Sequence, residues 1–130
     1  MNTKVSITNK QNGAGVGRIL KATLCSYQGF KAAWIHESAF RQELILVTLM
    51  MPFSFVLSTS AHHWLTLVAS LLFLLFAEII NSALEALADK VCLEQDPLIG
   101  RAKDMGSAGV FLAICVIVLF WGEALFSALF

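Results

Sequence analysis

In this chain of 130 residues, 58% are hydrophobic and only 14% charged, and nine basic residues balance nine acidic ones. That is too apolar for an ordinary soluble domain of this size. A small all-α integral membrane protein is expected, folded as a single membrane domain over 1–130 and with no nucleic-acid partner.

Residues 1–14 are polar and are expected to form a disordered start, without the apolar core of a targeting signal. The glycines at 13, 15 and 17 lack the lysine and hydroxyl residue of a phosphate loop, so they read as a linker. From 16 to 35, Ile19, Thr23, Tyr27, Phe30 and Trp34 share one side of a helical wheel. Arg18, Lys21, Cys25 and Gln28 lie opposite, which predicts an amphipathic helix on the membrane surface. Lys31, at the edge of the apolar sector, can snorkel to water.

Three transmembrane helices are expected over 38–57, 62–90 and 98–128. Residues 105–122 carry no charge and supply the third directly. Residues 44–77 are also uncharged, broken only by the polar turn at 58–63. Each leg of that hairpin rises only about 21 Å, against a hydrocarbon core of about 30 Å. Both legs must therefore draw polar residues into the membrane: 38–43 on the first, and 78–83 on the second.

All nine Lys and Arg residues precede the uncharged run 44–77 or lie between it and the uncharged run 105–122. By the positive-inside rule the N-terminus is cytoplasmic. Only Glu123 among the acidic residues lies on the other side. His62 and His63, at the outer turn, read as interfacial. Cys25, Cys92 and Cys115 show no paired spacing, so neither a zinc site nor a disulfide is suggested.

The second span carries the most informative signal. Glu78, Asn81, Ser82, Glu85 and Asp89 fall on one helix face directly after the uncharged run. A charge buried in hydrocarbon costs about 2.5–3.5 kcal/mol even on the lenient insertion scales, so this face is read as part of a site. Glu78 and Glu85 lie about 10.5 Å apart along the axis. A deeper carboxylate can serve as general base on a lipid hydroxyl, and an interfacial one can hold Mg²⁺ with a nucleotide. Arg18, Arg101 and Lys103 can offset phosphate charge. Glu37, Arg41 and Glu43 lie on the same side, where Arg41 and Glu43 equally suit a helix-end anchor. Composition also allows a proton-coupled transporter subunit or a helical scaffold.

Three motifs in order narrow these readings: residues 32–43 (AAWIHESAFRQE), 78–85 (EIINSALE) and 100–107 (GRAKDMGS). Together they resemble the prokaryotic integral-membrane diacylglycerol kinase family, from about Arg18 onward. The resemblance implies transfer of phosphate from MgATP to diacylglycerol in the bacterial inner membrane, by a homotrimeric helical bundle with active sites shared between protomers. A related kinase acting on undecaprenol is the alternative within the fold. Carried over, Glu78 is the catalytic base, while Glu37 and Glu85 bind the nucleotide's metal ions. Arg18, Cys25, Glu94, Asp96, Lys103 and Asp104 match nucleotide-binding positions. Arg18, Lys31, Trp34, Phe40, Arg41, Asn81 and Ser107 match positions around the lipid.

The departures from the family pattern concern the nucleotide: Cys25 stands where well-known members carry tyrosine, and residues 94–97 (EQDP) replace a loop carrying Tyr, His and Glu. Loss of those side chains is expected to relax nucleotide selectivity while sparing the carboxylates. Turnover with GTP should then approach that with ATP, and strict preference for ATP would count against the expectation.

Overall fold

A computed structural model of the protein describes residues 15–91 and 96–130. The expected disordered start and Glu94 lie outside the described residues. Four helices follow in order: α1 (Val16–His36), α2 (Ser38–Leu57), α3 (Ala61–Val91) and α4 (Pro97–Leu129). Three of them, α2, α3 and α4, are long and apolar enough to cross a membrane. The described chain is thus an all-α membrane protein, as its composition demands.

By its contacts the chain divides into two units, residues 1–32 and 33–130. The described part of the first is the body of α1. Gly15 opens it at φ 72°, a left-handed conformation that favours glycine, and its carbonyl accepts the Arg18 N–H at 3.1 Å. Along the helix, the Thr23 and Ser26 hydroxyls donate back to the carbonyls of Ile19 and Ala22.

In the second unit, α3 packs chiefly on α4 and then on α2. The core gathers Val47 from α2, Leu67, Leu71 and Leu74 from α3, and Ala113, Ile117, Trp121 and Ala124 from α4. Large apolar side chains such as Phe53, Leu65, Leu72, Phe111 and Leu119 stand exposed. Water would not tolerate so broad an apolar surface, whereas lipid tails cover it without cost.

Local chemistry sets the helix ends. The turn between α2 and α3 is closed by the Ser58 N–H on the Ser54 carbonyl, and the Ser60 hydroxyl accepts the His63 N–H at 3.1 Å as an N-cap. Trp64 stacks on Phe55 and donates its indole N–H to Ser54 Oγ at 3.0 Å, tying the two legs together. At the start of α4, the Asp96 carboxylate accepts the N–H groups of Leu98 and Ile99, and Pro97 occupies the first turn, where its missing donor is harmless. The 31 residues of α3 and 33 of α4 span about 46 and 50 Å respectively, at ~1.5 Å per residue. Both exceed the hydrocarbon thickness, so part of each helix stands in the interface or in water.

A polar bridge holds α3 to α4 inside the core: Trp121 Nε1 donates to Ser70 Oγ at 3.2 Å, and that hydroxyl donates to the Leu67 carbonyl at 2.7 Å. Ser70→Ala should leave the indole donor unpaired and cost about 0.6–1.7 kcal/mol, the range found for hydrogen bonds between membrane helices. Denaturant unfolding in detergent checks the value, and the same loss should vanish when Trp121 is already phenylalanine.

Candidate functional site

Below the core, α2, α3 and α4 part around a cleft of about 480 Å³. Four carboxylates line it: Glu37 at the junction of α1 and α2, Glu43 on α2, and Glu78 and Glu85 on α3. Asn81, Ser38 and Ser107 add polar groups, and Ala39, Val110, Phe111 and Ile114 form apolar walls. One wall therefore suits a charged, oxygen-rich ligand and the other suits a hydrocarbon chain.

The junction that delivers Glu37 is a single residue. Glu37 leaves the helical conformation (φ −107°, ψ 112°) between α1 and α2, and its side chain makes no capping hydrogen bond. The capping work falls to Arg41, whose Nη1 donates to the carbonyls of Trp34 at 2.9 Å and Ile35 at 3.2 Å. Those carbonyls lie in the last turn of α1, where helix acceptors lack partners. With Arg41 closing the helix end, the Glu37 carboxylate is left for the cleft.

On α3 the helical repeat arranges the rest. Glu78 is buried, at 4% exposure, and Ser82 one turn on donates its hydroxyl to Glu78 Oε1 at 3.4 Å. Asn81 Nδ2 donates to Glu85 Oε1 at 3.1 Å. Each glutamate is thus held by a polar neighbour four residues away. Two polar atoms in the same region are buried without a partner among the described residues, Glu43 Oε2 and Asn81 Oδ1.

Not every residue expected from the sequence gathers here. Glu37, Glu78, Asn81, Glu85 and Ser107 line the cleft together. Lys103 instead reaches across from α4 to Asp89 on α3, with Nζ 3.0 Å from Oδ1. Asp104 is exposed on α4, and Asp96 serves as the helix cap described above. Phe40 is buried at 2% exposure, whereas Trp34 is exposed. Arg18, Cys25 and Lys31 lie exposed along the first unit.

Glu43 is a lining carboxylate that the sequence left undecided between anchor and site. The signal was there: it is the last charge before the uncharged run of 44–77, just as Glu78 is the first charge after it. Among the described residues no group of three or more histidine, cysteine, aspartate or glutamate side chains is placed to hold a metal ion unaided. The donor set is nonetheless all oxygen, which suits Mg²⁺. That ion is usually held by one or two carboxylates together with phosphates, rather than by an all-protein cage.

Residues 24–125 match the family described as prokaryotic diacylglycerol kinase. The chain is 44% identical over 116 residues to the diacylglycerol kinase of Escherichia coli (strain K12), covering 89% of this chain and 95% of that protein. It is 44% identical over 111 residues to that of Pseudomonas aeruginosa, covering 85% of this chain and 90% of that protein. Over 112 residues it is 38% identical to that of Haemophilus influenzae, covering 86% and 95%.

Four carboxylates on one cleft repel one another when no cation is present. Glu43→Gln should therefore raise stability in chelator by roughly 0.5–2 kcal/mol, the usual yield of relieving an unfavourable functional charge. The same substitution should shrink the stabilisation gained on adding Mg²⁺. Thermal unfolding in detergent, with and without the ion, reads both effects.

Proposed function

The chain belongs to the prokaryotic diacylglycerol kinase family, and from that premise we propose that it transfers the γ-phosphate of MgATP to the primary hydroxyl of diacylglycerol, giving phosphatidate. The observation that carries this reading is the convergence of Glu37, Glu43, Glu78 and Glu85 on one cleft between membrane-spanning helices, with an apolar wall facing them. A transporter needs no such gathering toward one end of the bundle.

Glu78 acts as the general base. Its carboxylate takes the proton from the lipid hydroxyl as that oxygen attacks the γ-phosphorus, and the bond from phosphorus to the bridging oxygen of ADP breaks. Ser82 holds the carboxylate while this happens. Burial serves the chemistry, because a base shielded from water meets the lipid hydroxyl rather than bulk solvent. Phosphoryl transfer asks for alignment and charge stabilisation more than covalent participation, so three helices suffice without a kinase fold.

Glu37 and Glu85 are the residues that would hold Mg²⁺ with the nucleotide. When bound, the ion supplies charge neutralisation on the phosphates. Arg18, Lys103 and Asp104 contact the nucleotide, with Cys25, Glu94 and Asp96 near its base and sugar. Lys31, Trp34, Phe40, Arg41, Asn81 and Ser107 surround the lipid. The enzyme works as a homotrimer in the bacterial inner membrane, with its N-terminus cytoplasmic and its active sites completed between protomers.

Glu78→Gln keeps the side chain's shape and removes the proton acceptor. In purified, folded protein it should lower diacylglycerol phosphorylation by about 10²–10⁴-fold, the usual worth of a positioned base. Turnover at the unmodified rate would overturn the assignment. Labelled ATP offered with diacylglycerol and with undecaprenol in parallel should mark the diacylglycerol.

A further inference from the structure

Among the described glycines, Gly106 is alone in having other atoms close to the place a side chain would occupy. A Cβ added there would lie 2.5 Å from Asn81 Oδ1, and 3.5 Å from Asn81 Cγ and Leu84 Cδ1. The other described glycines, including Gly109 on the same helix, have open space at that point. Glycine inside a helix costs roughly 0.5–1 kcal/mol relative to alanine. At Gly106 the contact with Asn81 accounts for tolerating that cost.

We propose that Gly106 is a positioning residue for Glu85, acting through the Asn81 side chain. A carboxylate only accepts hydrogen bonds, so the amide must turn its NH₂ toward Glu85 and its oxygen away. Away from Glu85 lies Gly106. The oxygen is buried there without a donor, on a residue only 8% exposed. A lone buried acceptor is unfavourable, so the orientation is held from the other end, by the 3.1 Å bond from Nδ2 to Glu85 Oε1. Space at Gly106 lets the amide oxygen sit against α4 while the amide makes that bond. A methyl group there would drive the amide out and release the carboxylate.

The inference deepens the reading of Glu85 as a holder of the nucleotide's metal ion and rests on it. Partners that orient a metal-binding side chain behave in a known way: their loss weakens metal affinity without altering the ligand itself. Gly106→Ala should therefore raise the Mg²⁺ concentration for half-maximal turnover by roughly 10–100-fold, the span typical of such partners. Asn81→Ala, which removes atoms and overlaps nothing, should raise the Mg²⁺ requirement as well, and Gly109→Ala should leave it alone. Because Gly106 acts through Asn81, the double variant should be no worse than either single one.

The experiment uses the full chain in detergent micelles, with Mn²⁺ affinity read by electron paramagnetic resonance in the presence of a non-hydrolysable ATP analogue, beside Mg²⁺-dependent turnover. Weakened Mn²⁺ binding in both single variants, without further loss in the double, supports the proposal. Undiminished affinity in Gly106→Ala, or an equal further loss when it is added to Asn81→Ala, overturns it. Should Gly106→Ala not fold, undiminished affinity in Asn81→Ala overturns it equally. If the unmodified protein fails to phosphorylate diacylglycerol but the Mn²⁺ pattern holds, the kinase reading falls and the positioning role of Gly106 stands.

Discussion

The structure depends on one constraint: carboxylates placed among membrane-spanning helices must turn away from lipid and toward one another. No other arrangement keeps Glu78 at 4% exposure on a helix whose opposite side carries exposed Leu72, Phe73, Phe76 and Ile80. Facing inward, the glutamates line a cleft. Their mutual repulsion is the cost of burial, and it makes the cleft receptive to cations and to ligands that bring them. Site and fold are thus two results of the same avoidance of hydrocarbon.

Around that constraint, the polar side chains divide their labour by distance along the helix. Ser82 and Asn81 each meet a glutamate one turn away, which fixes carboxylate direction. Arg41 takes the backbone acceptors at the end of α1, and thereby spares Glu37 from capping its own junction. Lys103 and Asp89 pair across α3 and α4 with both side chains partly in solvent. A pair so exposed adds little stability, and its lysine exchanges partners at low cost.

Much of this was legible in the amino-acid sequence, for a physical reason. Hydrocarbon thickness and the uncharged runs dictate three long helices, and helical periodicity puts Glu78, Asn81, Ser82 and Glu85 on one face. What escaped reading required knowledge of neighbours in space. Glu43 is a site residue or an anchor depending on which way α2 faces α3, and periodicity within one helix cannot decide that. Arg41 as a cap for α1 depends on the helix break at Glu37. The pairing of Lys103 with Asp89 and the fit of Gly106 on Asn81 depend on the register between α3 and α4, which an isolated sequence does not display.

On α2 and α3 the apolar core and the cleft occupy different levels. On α3 the core ends at Leu74 and the carboxylates begin at Glu78, one turn later; on α2 the cleft ends at Glu43 and the core begins at Val47. The hydrogen bonds of Trp64 and Trp121 lie at the core's level or beyond it, toward the α2–α3 turn. α2 and α3 are therefore joined by apolar packing at one end and carry the carboxylates at the other. Rigidity and chemistry reside in separate residues, so substitutions that tighten packing around Leu67, Leu71 and Ile117 can accumulate without touching the glutamates. A protein organised in this way can be hardened against heat, or drift in its outer half over evolutionary time, while its reactive end stays as it was.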